Sequence, residues 1–318
     1  MLIPSLIVIV AITALVLGII AIVIASDKCK GSKPTPTPVS VEPMYSRGIG
    51  KVDSGTMNRR LKSRVTCRKG NGRNVIFQTW KTSTLPNELR FYSVSWQALN
   101  PEYKYMLFGD KECRHYIKTT FGEREATAFD TLAPGAFKAD LFRYCVLYHE
   151  GGVYSDVDVE PMVPIEEFVS PEDDFVSVQE RHGIPGVYQA FMVCQRPGLP
   201  FLKLLIDRIV QYTNENYYPP MPAKDSQKEW WTTVLSITGP VALAECISEY
   251  SGIPAPFKPG RSTIDENTTM KLLTFKSDLE VQDDGGRVVL NTKVPEYNGG
   301  DSIQYDIMFR DHNIYNKL

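Results

Sequence analysis

GAFKADLFRYCVLYHEGGVYSDVDVEP, residues Gly135 to Pro161, reads as a helix, a glycine stop and a strand carrying acidic side chains. Apolar side chains at Phe137, Leu141, Tyr144, Cys145 and Tyr148 recur at the spacing of one buried helical face. Asp140 and Arg143, three positions apart, project together from another side of the same helix. Gly151 and Gly152 end it, as glycine does where the chain must turn left-handed. The period then falls to two. Val153, Ser155, Val157 and Val159 face one way, and Tyr154, Asp156, Asp158 and Glu160 face the other. Three carboxylates on one strand face repel one another unless a cation or hydrogen-bond donors hold them, so this face is expected to be a site.

Outward from this block the same alternation of elements continues. Val75-Ile76-Phe77 with Gln78-Thr79-Trp80 predicts a short buried strand, and Leu85-Pro86 with Glu88 opens a helix towards Trp96 and Leu99. Tyr103 to Phe108 predicts a second strand, followed from Gly109-Asp110 by a helix towards Phe121. Beyond the central block, strands are expected at Phe175–Gln179 and Gln189–Cys194, with helices near Leu199–Tyr212 and Trp230–Tyr250. From Ser251 onward, Gly, Pro and Asp predict loops and short strands. Strand and helix in this succession predict an α/β fold, one domain over 72–318 with a mostly parallel sheet. Ligands of such sheets collect at the carboxyl ends of the strands, where Trp80 and the acidic strand both fall.

The first quarter of the chain is different in kind. Leu2 to Ala25 carries no charge and is almost wholly aliphatic, about the twenty residues a helix needs to cross a bilayer. It lacks the basic start and small-x-small cleavage site of a signal peptide, so 1–25 reads as a transmembrane signal-anchor. Residues 26–71 are poor in large apolar side chains and contain Lys33-Pro-Thr-Pro-Thr-Pro38, an extended stalk holding the domain off the membrane. Lys28, Lys30 and Lys33 lie just after the span, and the positive-inside rule would place the C-terminal side in the cytoplasm. A formal net charge of -2 and no basic run give no indication of a nucleic-acid partner. The six cysteines show no C-x-x-C spacing, which argues against zinc, and Cys145 and Cys194 read as buried free thiols.

A bare D-x-D is common on solvated edges; its context here is not. Asp156-Val157-Asp158 follows Lys138-Ala139-Asp140, Arg143-Tyr144, Leu147-Tyr148 and Gly151-Gly152-Val153-Tyr154. This block resembles the D-x-D region of glycosyltransferase family 32, which includes fungal Golgi mannosyltransferases. Phe77-Gln78-Thr79-Trp80-Lys81, Asn100-Pro101-Glu102-Tyr103, Gln189, Arg196-Pro197-Gly198-Leu199-Pro200 and Thr238-Gly239-Pro240 resemble further family segments. Departures are Phe77 where histidine is usual, Leu199 within the Pro-Gly loop, and a C-terminal His312 with no following Ser-Trp pair.

The resemblance implies a GT-A-like nucleotide-sugar-binding domain in a metal-dependent, retaining transferase. The donor would be a nucleotide sugar, GDP-mannose first and a UDP-sugar as the alternative. The acceptor would be a glycan, or a glycolipid of the inositol phosphorylceramide type. Asp158 would bind the divalent cation, Mn²⁺ or Mg²⁺, directly, with Asp156 in range of both metal and donor hydroxyls. Hard oxygen ligands suit such ions. Asp140 and Arg143 would hydrogen-bond the donor sugar, and Asp156, Asp158, Asp140 and Arg143 together are the expected catalytic set. Trp80 and Tyr154 would face the donor nucleotide, and His312 a phosphate or the metal. The family places its catalytic domain in the Golgi lumen, and that orientation is the expectation despite the lysines. Rival readings are a phosphodiester hydrolase, which calls for more His and Asp ligands, and a Ca²⁺-dependent binding module, which has no use for the Asp140–Arg143 pair.

Overall fold

The computed structural model describes residues 74–221, 226–292 and 304–317. The anchor and stalk expected before residue 72 lie outside them; among the described residues no helix is long and apolar enough to cross a membrane.

In chain order the elements are β1 (Val75–Thr79), α1 (Asn87–Leu99), β2 (Lys104–Phe108), α2 (Asp110–Thr120), α3 (Glu123–Thr131), α4 (Gly135–Glu150), β3 (Gly152–Ser155) and β4 (Val159–Pro161). Next come β5 (Phe175–Gln179), β6 (Val187–Cys194), α5 (Pro200–Glu215), α6 (Gln227–Val234), α7 (Pro240–Ser251), β7 (Gly260–Asp265), β8 (Thr268–Phe275), β9 (Glu280–Gln282), β10 (Val288–Thr292) and α8 (Gln304–Arg310). The helix expected over 230–250 is two, because Gly239-Pro240 ends one and starts the next, with Pro240 in the first turn of α7.

One sheet runs β2-β1-β3-β6-β5-β8-β9-β10-β4, with β7 paired to β8. It is mixed, not mostly parallel: three of nine strand pairings are parallel. The cause is local. β5 returns through a short loop as β6, which inserts antiparallel between β3 and β5, and the chain after residue 260 continues in hairpins. Even so, β1, β2, β3, β5 and β8 all point the same way, so their carboxyl ends share one edge.

The sheet must also curl. β3 and β4 stand six strand spacings apart in the order, about 29 Å if the sheet were flat. Only Asp156, Val157 and Asp158 join them, a link of about 15 Å at full stretch. The far end of the sheet is therefore drawn back over its middle, and Pro161 sits on the terminal strand, where its missing N–H costs no ladder bond.

Side-chain alternation fills both sides. Tyr154 and Met192 join the core under α4, α5 and α7, while Val153, Phe191 and Val193 join a second core with Trp96, Val289 and Leu290. Gly151 has φ +69°, and a Cβ there would come within 3.0 Å of the Cys194 carbonyl oxygen, so the close helix-to-strand turn needs glycine. Cys145 and Cys194 are buried free thiols, as are Cys113 and Cys246.

Trp96 ties α1 to the curled end. It is fully buried, stacks on Phe191 with ring centroids 5.9 Å apart, and donates from Nε1 to the Val159 carbonyl oxygen at 2.9 Å. Trp96→Phe keeps an aromatic ring but removes a buried donor. We expect it to lower unfolding free energy in urea by about 1–3 kcal/mol; an unchanged midpoint would show that β4 is held without this bond.

Candidate active site

The acidic strand expected from the sequence does not run through to Glu160. β3 stops at Ser155, Asp156 makes one further bond from its N–H to Ala190 O at 2.8 Å, and Val157-Asp158 form a turn before β4. The three carboxylates are thereby dispersed instead of stacked on one face. Asp156 turns to Arg143, Glu160 lies 3.4 Å from the Asn291 amide on β10, and Asp158 stays in the turn, half-buried. Separation relieves the repulsion that a continuous strand would impose.

Arg143 lies at the junction. Its side chain is 4 % exposed, with Nη2 3.1 Å from Asp156 Oδ1 and 3.3 Å from Asp140 Oδ1. Its guanidinium lies 4.6 Å above the centre of the Tyr154 ring, and Nη1 donates to Gln189 O at 3.0 Å. Burial opposes its charge, but Asp156, Tyr154 and Asp140 outweigh burial and hold the guanidinium above its ordinary range. The Tyr154 hydroxyl donates to Asp156 Oδ1 at 2.8 Å and meets Thr79 Oγ1 at 2.9 Å. Burial raises this phenol well above its usual range, more than Arg143 offsets, so it keeps the proton it donates.

Asp140 sits deeper. Its Oδ1 accepts from Gln189 Nε2 and its Oδ2 from Thr238 Oγ1, both at 2.6 Å, and its side chain is 5 % exposed. Desolvation pushes its pKa up to about 6, against the opposing pull of Arg143, Thr238 and Gln189. Tyr144, one turn along α4, contacts Gln189 Oε1 and the Thr238 carbonyl oxygen, closing the network. Asp156 in contrast keeps 30 % of its side chain in solvent. The Asp140–Arg143 pair thus supports Asp156 from inside.

The backbone of the turn is held as well. Gln78 Nε2 donates to Asp156 O at 3.0 Å, and Tyr105 donates to Gln78 Oε1 at 2.7 Å. Trp80 follows β1 at the same edge, half-buried, packed with Leu85, Leu89, Tyr92 and Val157 of the D-x-D turn. His312 is exposed, with its ring 4.4 Å from Tyr218. Two residues left little or no mark in the sequence. Tyr188, whose phenol is raised by burial and then by Asp158, Asp156 and Glu180, stands beside Gln189 on β6. Tyr305 on α8 packs on Phe137 and Trp231 and lies in the field of Asp140. The one signal for Tyr188 was its adjacency to Gln189; Tyr305 left none.

Asp156 and Asp158 offer oxygen donors at the open edge, and among the described residues no group of three His, Cys, Asp or Glu side chains could enclose an ion. This donor set fits a hard divalent cation that completes its shell with ligand oxygens and water, and does not fit a closed protein cage.

Residues 86–176, α1 through the D-x-D turn to the start of β5, match the glycosyltransferase sugar-binding region containing the DXD motif. The match supports the resemblance to glycosyltransferase family 32 seen in the sequence. It is 26 % identical over 200 residues to the initiation-specific alpha-1,6-mannosyltransferase of Candida albicans, covering 55 % of this chain and 52 % of that protein. It is 27 % identical over 180 residues to inositol phosphoceramide mannosyltransferase 3 of Schizosaccharomyces pombe, covering 57 % and 46 % respectively. The chain thus spans about half the length of these relatives. Among solved structures, the PaToxG glycosyltransferase overlaps 61 % of this chain and 76 % of its own at a TM-score of 0.42 and 13 % identity.

Asp140 carries a pH signature. Its folded pKa of about 6 exceeds the ordinary carboxylate value of 3.8, so the folded chain binds the proton more tightly than the unfolded one. Its stabilising contribution is complete below pH 4 and is lost as pH rises through 6, about 3 kcal/mol for a shift of about two units. Chemical denaturation between pH 4 and 7 should show Asp140→Asn flattening this dependence; identical slopes in the two proteins would refute the assignment.

Proposed function

We propose that this chain transfers a hexose from a nucleotide-sugar donor to a glycan acceptor in a reaction that needs a divalent cation. The observation that carries the reading is the buried Arg143 guanidinium, shared by Asp140, Asp156 and Tyr154 at the edge where the strands end. A Ca²⁺-binding module needs no cation fixed beneath its first carboxylate. A sugar-nucleotide site does, because Arg143 aims Asp156 outward and its charge faces the donor's diphosphate from a water-poor position. A cation held by Asp158 and Asp156 would offset the charge of the departing diphosphate. Trp80, half-exposed at the end of β1, offers an aromatic face to the base. Asp140, with little open surface, acts chiefly by fixing Arg143 and Gln189, with its remaining exposure towards the sugar.

Mannose is the sugar that the relatives' names support, and GDP-mannose, with transfer that retains the α configuration, is the donor chemistry of the proposal. A glycolipid acceptor is the second reading, favoured by the relatives named as inositol phosphoceramide mannosyltransferases. Golgi residence with a lumenal domain, behind the segment 1–25 as anchor, completes the proposal.

Asp158→Asn is expected to abolish transfer while leaving the melting temperature unchanged or slightly raised, since it removes one charge from an acidic turn. In Mn²⁺, GDP at a hundred times its Kd should stabilise the wild type by about 2.7 kcal/mol, and UDP far less. Wild-type turnover in the variant would discard the metal assignment, and a stronger response to UDP would replace mannose with a UDP-linked sugar.

Orientation has its own readout. Asn267-Thr268-Thr269 is a glycosylation acceptor, and Asn267 is exposed in the turn between β7 and β8. A lumenal domain expressed in its secretory pathway should carry a glycan there, seen as a mobility shift removed by endoglycosidase and by Asn267→Gln. A protein lacking the glycan and digested by protease in sealed microsomes would face the cytoplasm.

A further inference from the structure

The edge that holds Asp156 continues past β3. From β3 the sheet passes to β6, β5 and β8, and β5 and β8 point the same way as β3. Their carboxyl ends, at Gln179-Glu180 and Thr274-Phe275, therefore lie on the edge of the D-x-D turn. β3 and β5 are two strand spacings apart, about 10 Å, close enough for a sugar seated at one to meet a sugar seated at the other.

That part of the edge is hollow. A cavity of ≈ 310 Å³ is lined by Glu180, Arg181, His182, Thr274 and Phe275 among others. Its floor is preorganised. The Arg181 guanidinium lies 4.6 Å over the Phe275 ring and Nη1 donates to the Asp278 carbonyl oxygen. Tyr188 meets the same ring edge-on, with centroids 5.3 Å apart. Tyr188 belongs to β6, the strand between β3 and β5, and so stands between the strand that ends at the cavity and the strand that ends at the acidic turn. The loop above is pinned: Glu180 N–H donates to Gly186 O at 3.1 Å, and a Cβ on Gly186 would come within 3.0 Å of Pro240.

The charges here balance. Glu180 accepts from the Arg181 amide, and His182 stands 3.6 Å from Asp278. Such a lining has no excess of cations to hold a second diphosphate. A planar guanidinium fork beside a carboxylate is suited to the vicinal hydroxyls of a sugar or cyclitol.

We propose that this cavity is the acceptor subsite, taking one neutral polyol ring and presenting its hydroxyl to the donor sugar along the shared strand edge. The inference rests on the transferase reading above. In the step it serves, the acceptor oxygen bonds the anomeric carbon, the bond from that carbon to the diphosphate breaks, and the hydroxyl proton leaves with the nucleoside diphosphate. The ring has two candidate sources, a terminal mannose of a glycan or the inositol of a phosphoinositol lipid, and the chemistry of the cavity is common to both.

The test uses the full chain with two probes, α-linked mannotriose and myo-inositol 1-phosphate, each followed by saturation-transfer NMR. We expect a signal from at least one probe in the wild type, and the responding probe names the source. Arg181→Ala should lose that signal and raise the acceptor KM about tenfold, the scale of one lost anchor. The GDP-induced shift in melting temperature should persist, which also reports that the variant is folded. Arg181→Lys keeps charge and stem but not the fork, and should weaken the signal in the same direction. Unchanged probe signals and acceptor KM in both variants, or no signal from either probe in the wild type, would overturn the subsite. Absence of any GDP or UDP response in the wild type would instead strike the transferase reading, and the NMR arm would still judge the cavity.

Discussion

A single guanidinium, buried and shared, sets the geometry of everything at the carboxyl edge. Removing Arg143 from water is unfavourable, and the penalty is offset only because Asp140, Asp156, the Tyr154 ring and the Gln189 carbonyl all converge on it. The partners come from separate stretches: α4 itself, the end of β3, and β6. The ion cluster thus works as a register device. Were β6 to slip by one residue, Gln189 would move to the opposite face and leave both Asp140 and Arg143 short of a partner.

The acidic turn has two kinds of support, and they differ in character. On its inner side are directional bonds from Gln78, Tyr154 and Arg143. On its outer side is chain connectivity, since three residues must bridge a gap that the sheet closes only by curling. A loop free to sample many shapes would lose binding energy to becoming ordered when a ligand arrives. Here the backbone is fixed at both ends by strands and between them by side chains, while the carboxylate of Asp156 keeps its exposure. Rigid backbone with open oxygen donors is what an ion needing several ligand-supplied oxygens requires.

Much of this was legible in the sequence, and the parts that were not have a common cause. Helical spacing located α4, and the glycine pair located its end. The short apolar runs gave β1 and β5 because a strand buried on both faces leaves a continuous apolar record, and the run at the edge gave β2 although that strand is only half-buried. The strand expected to carry Asp156, Asp158 and Glu160 on one face failed at Asp156, where pairing changes from β6 to β10; no local residue announces a change to a partner about 130 positions away. Mostly parallel order failed for the same reason. β6 looks like any buried strand, and only its partners on either side make it antiparallel. The Asp140–Arg143 pair was visible as a spacing, but its burial was not, because Gln189 and Thr238 reach it from distant segments.

The curl has a consequence for the life of the chain on the ribosome. β4 leaves the acidic turn with a single neighbour in the sheet, β10, which is translated about 130 residues later. Until that strand emerges, Val159–Pro161 has no edge to pair with, and the turn before it lacks its outer support. The nascent chain can bring together α4, β1 and β3 early, from local contacts, yet the site is the last part of the sheet to be sealed. A polypeptide ending anywhere before β10 would keep the motif in its sequence without the outer anchor that gives the turn its shape, so selection for completeness is built into the topology itself.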